Sequence, residues 1–345
     1  MTSDRHIQAE IIGRLGRITL TRPAALNALT RAMIVEIHAQ LRAWQTCPEV
    51  EAVLLRGEGR AFCAGGDIKA VWEAVGRGAP YSGFFWDEYL LDHAIHVYPK
   101  PVISLLDGFV MGGGAGISML GSHRVATERT AFAMPETAIG FYPDAGGTFF
   151  LSRLPLPLAR YLGMTGARID GADCAWCGLA THYIPSARLA QVEAELAAEG
   201  AGALEVLLSR HRAPPPESAL SGQAAAIDRS FGVADLPGIL ANLAAETGDW
   251  AETTRAHVAT LSPTCMALTL RQLETGRGLS LAQALVREYR MSLRMALGND
   301  FREGVRAKLV ERGYVPRWRQ ATADAVAPAA LDALFAPLDQ AELPL

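Results

Sequence analysis

The stretch that most restricts the fold is residues 101–121, PVISLLDGFVMGGGAGISMLG. It is long and apolar enough to be weighed as a membrane span, yet Asp107 and six glycines interrupt it. Glycine's access to positive φ suits tight turns and close backbone approach, not an unbroken helix. The segment reads as a short strand, a loop and the start of a helix. The same alternation runs through the first half of the chain. Residues 7–12 and 17–21 are β-rich runs around GRLG at 13–16, which is hairpin chemistry. Thr30 is placed to cap a helix on which Ile34, Ile37, Leu41 and Trp44 recur at helical spacing. Residues 52–56 and 102–106 read as buried strands, and 84–97 as a helix. Alternating strands and helices predict a layered α/β core.

From residue 156 onward the patterns are mostly helical, at 156–164, 171–179, 186–198 and 263–275. Pro214, Pro215 and Pro216 form the clearest linker, because proline donates no ladder hydrogen bond and favours an extended backbone. The expected division is a core over 1–212 and a mainly helical C-terminal region over 217–345. At roughly 100–200 residues per domain, a chain of this length accommodates both.

Composition excludes several function classes. The 345 residues are 50% hydrophobic, with Lys+Arg 32 against Asp+Glu 36 and a net charge of −4. No dominant basic footprint marks a nucleic-acid partner. Five cysteines without regular spacing argue for a reducing compartment over a secreted disulfide framework. The N-terminal residues show no apolar signal core, so the expectation is a soluble, cytoplasmic protein with no membrane partner. Homo-oligomerisation is compatible with the alanine-rich stretches at 194–203 and 321–333 but not required by them.

Common catalytic templates fail. No P-loop is present, the glycine run at 112–116 does not complete GxGxxG, and Ser118 sits in GISML, which breaks the nucleophile elbow at its last position. Cys174 and Cys177, with His182 nearby, make half a zinc site without a second ligand pair; packing cysteines are the plainer reading. Two glycine loops offer different chemistry. AFCAGGD at 61–67 and MGGGAG at 111–116 each follow a strand and open a helix. Such loops can aim bare backbone N–H groups at a developing negative charge, the arrangement of an oxyanion hole. Downstream, MPETAIGFYPDAGG carries two acids, Glu136 and Asp144. The plain reading of Glu136 is a first-turn helix acid, and of Asp144 an N-cap. Flanking prolines and glycines place both on loops, which favours function.

Those three stretches together, AFCAGGD, KPVISLLDGFVMGGGAG at 100–116 and MPETAIGFYPDAGG at 134–147, resemble the enoyl-CoA hydratase/isomerase superfamily with its crotonase fold. The likeness is strongest to its 3-hydroxyisobutyryl-CoA hydrolase branch. It extends through FFWDEYLLD at 84–92, the 262–273 stretch, EYRMS, and DFREGVRAKL up to Trp318. The resemblance implies a spiral of ββα units with a helical C-terminal region, and an acyl-CoA site that uses no metal or redox cofactor. It implies oxyanion donors at the backbone N–H groups of Gly66 and Gly113. It assigns substrate contacts to Glu88, Gly113, Glu136 and Asp144, and CoA contacts to Asp67 and Ile68. A solvated helix charge is the plain alternative for Glu88, and an N-cap for Asp67.

One position separates the branches. Members that hydrate double bonds usually carry two glutamates, the first placed two residues after the glycine triplet; here that position is Gly116. They typically have glycine where this chain has Asp144. The implied activity is therefore hydrolysis of 3-hydroxyisobutyryl-CoA, and of the related 3-hydroxypropionyl-CoA, in valine breakdown. Glu136 would serve as base or nucleophile, and Asp144 would orient the substrate hydroxyl or assist proton transfer. The competing expectations are an enoyl-CoA hydratase or isomerase, and a non-catalytic acyl-CoA binder.

Overall fold

The first two strands, Ile7–Ile12 and Leu15–Leu20, pair antiparallel with Ile12 opposite Leu15. Gly13, at φ 57°, helps make a two-residue turn between them. The second strand thus starts earlier than its β-rich run suggests, because Leu15 is part of the hydrophobic core. The structure is a computed structural model and describes residues 6–339 and 341–345. It divides into two compact units, each assembled from three stretches of chain.

The first unit comprises the chain through Gly66, Leu90–Phe132 and Ile169–Ser221. Its larger sheet runs in the order Ile7–Ile12, Leu15–Leu20, Ala52–Gly57, Val102–Leu106, His123–Ala126 and His182–Tyr183. After the opening hairpin all neighbours are parallel. Val102–Leu106 is buried along its whole length, as expected for a parallel strand covered on both faces. Leu54, Ile103, Leu105 and Val125 pack against Val192, Leu196, Leu207 and Leu208 from the Leu189–Glu199 and Leu204–His211 helices. The Arg31–Gln45 helix buries Met33, Ile34, Ile37, Leu41 and Trp44, and Thr30 caps it by accepting from Met33 N at 3.2 Å.

A smaller sheet in the order Ala61–Cys63, Phe109–Met111, Ala131–Ala133 and Ile169–Asp170 carries the glycine loops. Residues 101–121 therefore hold one strand more than expected: Val102–Leu106, then Phe109–Met111, then the Gly113–Met119 helix. Among the described residues no helix is long and apolar enough to cross a membrane. Pro214, Pro215 and Pro216, the expected domain boundary, lie inside the last stretch of this unit.

The second unit comprises Asp67–Tyr89, Ala133–Arg168 and the chain from Gly222 on. Its elements are mostly helical, in keeping with the helical C-terminal region expected. Ser262 and Ser280 cap the Pro263–Gly276 and Leu281–Ala296 helices, the latter in a reciprocal box with Gln283. Phe85, Phe141, Tyr142 and Phe301 form an aromatic core within it.

Gly114 is where the loop geometry is most demanding. A Cβ there would strike the carbonyl oxygen of Cys63, so the Gly113–Met119 helix lies backbone-to-backbone against the neighbouring strand. Gly114→Ala is expected to destabilise the protein by about 1–3 kcal/mol, the cost of forcing volume into a packed contact. The midpoint of urea unfolding measures it; an unchanged midpoint would show that the contact is not there.

Candidate active site

In the first unit, the strands leading to the two glycine loops are parallel neighbours, so both loops leave the same end of one sheet. Leu29 N donates to Gly65 O at 2.8 Å and Ala64 N to Leu26 O at 3.0 Å, which pins the first loop at Ala64 and Gly65. In the second loop Gly112 has φ 50°, and its carbonyl accepts from Ala115 N and Gly116 N at 2.8 and 3.1 Å. Gly113 is the first residue of its helix, where an amide has no partner inside the helix and the helix dipole is positive. Gly116 is buried in the same helix.

In the second unit, Asp67 caps the Ile68–Gly76 helix by accepting from Ala70 N at 3.3 Å, which is its plain reading. Ile68 opens that helix and is half-buried. The acids are more informative. Glu136 begins a single helical turn, Glu136–Ile139, directly after Pro135. It is buried, and among the described residues its Oε2 has no hydrogen-bond partner. Burial, joined by the charge of Asp144, holds its carboxyl well above the usual carboxylate range.

Asp144 does not use its side chain as an N-cap. The next helix is Gly147–Leu151, preceded by Gly146 without a side-chain cap. Ala145 at φ 51° and Gly146 at φ 82° curl the backbone through two left-handed residues first. The Asp144 carbonyl accepts from Gly147 N at 2.8 Å, while its Oδ2 accepts from the Tyr89 hydroxyl at 2.6 Å. Burial pushes Asp144 up to about 6, against the pull of that hydroxyl. Glu88, on the Ser82–His96 helix, is 2% exposed and so is not a solvated surface charge.

Four further residues complete the cluster and were not picked out from the sequence. Glu288, on the Leu281–Ala296 helix, is 0% exposed. Its carboxylate accepts from Gly146 N and Thr148 N, both at 2.8 Å, holding the turn that follows Asp144. Burial pushes it up to about 8 even so. One turn along the helix, Ser292 Oγ lies 2.6 Å from Tyr89 Oη and 2.7 Å from Tyr142 Oη. The Tyr142 hydroxyl donates to the Glu288 carbonyl at 2.7 Å. Gln272 donates through Nε2 to Pro143 O and Thr148 Oγ1, at 2.6 and 2.7 Å. A signal did exist for two of these. Glu288 and Ser292 occupy positions on the buried stripe that also carries Leu281 and Leu285, where apolar residues belong.

The Cys174 and Cys177 pair gathers no metal set: among the described residues no group of three or more His, Cys, Asp or Glu could hold an ion. Cys174 is buried and Cys177 donates to the Cys174 carbonyl, as packing cysteines do.

Comparison with known proteins agrees with this architecture. A family model described as enoyl-CoA hydratase/isomerase matches residues 15–335. The chain is 40% identical to the mitochondrial 3-hydroxyisobutyryl-CoA hydrolase of Danio rerio, over 97% of this chain and 91% of that protein. It is 37% identical to the probable 3-hydroxyisobutyryl-CoA hydrolase 3 of Arabidopsis thaliana, over 99% and 94%. Among solved structures, a carnitinyl-CoA dehydratase from Mycobacterium thermoresistibile superposes with TM-score 0.93 at 39% identity, covering 99% of this chain and 98% of that one. An enoyl-CoA hydratase from Rhodobacter sphaeroides 2.4.1 gives 0.92 at 38%, covering 99% and 100%. With the family pattern matched across almost its whole length, the chain belongs to the enoyl-CoA hydratase/isomerase family.

Proposed function

We propose that this family member is a thioesterase that hydrolyses 3-hydroxyisobutyryl-CoA to the free hydroxy acid and CoA. The observation that carries this reading is the buried Glu136–Asp144 pair combined with a glycine at 116. Hydrating a double bond calls for a base for water and an acid for carbon, and Gly116 removes one of the two carboxylates. Thioester cleavage asks for less. The thiol of CoA leaves readily, with an ordinary thiol pKa of about 8.5, so the main needs are charge stabilisation and an activated water.

The amides of Gly66 and Gly113 take the charge that develops on the thioester oxygen. Glu136 acts as the base. Its unpartnered Oε2 accepts a proton from water as the water oxygen bonds to the carbonyl carbon. The C–S bond then breaks, and the CoA sulfur leaves with a proton. Asp144, held at one oxygen by Tyr89, orients the substrate hydroxyl. Glu88 and Gly113 shape the acyl end of the site, and Asp67 and Ile68 contact the CoA arm. CoA belongs to the substrate, and the chemistry uses no resident cofactor. A hydroxypropionyl group differs by one methyl, worth only about 1–3 kcal/mol of discrimination, so 3-hydroxypropionyl-CoA is turned over as well. We place the reaction in valine breakdown in the cytoplasm; the five free cysteines support a reducing compartment, whereas several curated relatives are named as mitochondrial.

The two similar solved structures, a carnitinyl-CoA dehydratase and an enoyl-CoA hydratase, keep a hydratase reading in view. A thiol-release assay on 3-hydroxyisobutyryl-CoA, beside an ultraviolet assay of crotonyl-CoA, separates the two. Free CoA is expected from the first substrate and no loss of unsaturation from the second; the opposite pattern makes the protein a hydratase. Glu136→Gln is expected to lower kcat by about 10²–10⁴-fold, the range for a lost general base. Single turnover in ¹⁸O water is expected to leave Glu136 unlabelled; label in Glu136 would make it a nucleophile that forms an anhydride.

The pH profile follows from the two carboxyls. A base works ionised, and both groups sit above their ordinary values, Asp144 at about 6. Close neighbours titrate as a pair, so the profile reports their joint steps. We expect kcat/KM to rise with pH as Glu136 ionises, above the ordinary carboxylate range. A plateau extending down to pH 4.5 would rule out a buried base of this kind.

A further inference from the structure

The hydroxyl groups beside Asp144 form one continuous chain. Asp144 Oδ2, Tyr89 Oη, Ser292 Oγ, Tyr142 Oη and the Glu288 carbonyl oxygen are linked in that order, at 2.6, 2.6, 2.7 and 2.7 Å. All five residues are buried. Each link is short enough to need a proton between its oxygens. Tyr89, Ser292 and Tyr142 supply one hydroxyl proton apiece, three for four links. The Glu288 carbonyl can only accept, and so can an ionised carboxylate. With Asp144 ionised, one link therefore sets two lone pairs against each other in a buried site. With Asp144 protonated, every link is filled, running from Asp144 through Tyr89, Ser292 and Tyr142 to the carbonyl.

We propose that this chain is a proton-holding device, in which Ser292 and Tyr142 act as positioning residues that favour the neutral acid form of Asp144. Asp144 then meets the substrate as an uncharged group whose free carbonyl oxygen accepts from the substrate hydroxyl, while Glu136 remains the base. This deepens the thioesterase reading and rests on it for its meaning in catalysis, but the protonation itself is a property of the protein alone. The titratable groups facing Asp144 are Glu136 on its own loop, Tyr142, Tyr89 on the Ser82–His96 helix, and Glu288 on the Leu281–Ala296 helix, while Glu88 acts on Tyr89. Like charges on the acids push in the same direction as the chain.

The chain makes an unusual prediction. Ser292→Ala leaves Tyr89 donating to an ionised Asp144 and Tyr142 donating to the Glu288 carbonyl, two links with two protons. Tyr142→Phe leaves Ser292 donating to Tyr89 and Tyr89 to Asp144, again balanced. Each variant removes an oxygen and makes the site more apolar, which alone would raise the pKa of an acid. If the chain holds the proton, each lowers it instead. The experiment is a titration of the Asp144 carboxyl by ¹³C NMR in the full-length protein, without substrate. A midpoint at or above 6 is expected in the parent protein, and a midpoint lower by about one pH unit in both variants. An unchanged or raised midpoint in either folded variant overturns the proposal, as does loss of the parent's elevated midpoint. Because no turnover is read, the absence of thioesterase activity would fail the functional reading without touching this result.

Discussion

The carboxylate of Glu288 holds the turn on which the rest of the acidic cluster depends. Two consecutive left-handed residues, Ala145 and Gly146, curl the backbone so that the amides of Gly146 and Thr148 converge on it. For alanine that conformation costs roughly 1–2 kcal/mol. Burying a carboxylate costs several more. Each charge-assisted hydrogen bond returns about 1.5–3 kcal/mol, and leaving the buried groups unpaired would cost further. The turn and the acid are thus stable only together. Gln272 reinforces the arrangement from a second helix, through Pro143 O and Thr148 Oγ1. The helices of the C-terminal region therefore do more than cover apolar surface: they set the direction in which Asp144 points.

Gathering Glu136, Asp144 and Glu288 in one buried place has an electrostatic consequence. Asp144 raises the resistance of both Glu136 and Glu288 to ionising, and Glu288 that of Glu136, on top of the penalty from burial. Carboxyls tuned toward neutrality are suited to general acid–base work, because they exchange protons within the working pH range. The glycine loops of the first unit are built on the opposite principle. What they offer is backbone amides, made available by a helix start and by close strand packing. In the mechanism proposed above, one kind of group stabilises charge without moving a proton, and the other moves the proton.

Much of this was legible in the chain. The cap at Thr30, the strand Val102–Leu106 and the amphipathic Arg31–Gln45 helix follow from local spacing and agree closely with the structure. The two strand–loop–helix glycine motifs were visible for the same reason. Glu136 and Asp144 stood out because prolines and glycines flank them, and the structure brings both into one buried cluster. Two plain alternatives did not hold. An N-cap was the plain alternative for Asp144, which precedes the 145–151 stretch, but the two left-handed residues delay the helix start to Gly147. A solvated helix charge was the plain alternative for Glu88, and its burial removes that alternative.

The sequence by itself determined the alternation of elements, the two glycine loops, the pair of acids and the family to which they belong. These are set by neighbours a few residues apart, through backbone sterics, side-chain periodicity and turn chemistry. Only the tertiary structure decided that Tyr89, Tyr142, Ser292 and Glu288 complete the surroundings of Asp144. Glu288 reaches Gly146 across 142 residues, and Ser292 reaches Tyr89 across 203. A hydrogen bond over such a separation leaves no period in the chain; at Glu288 and Ser292 it leaves a polar residue where an apolar one was due. Packing brings the partners together, and the low polarity of the packed interior then gives those few hydroxyl and carboxyl groups their influence over the proton.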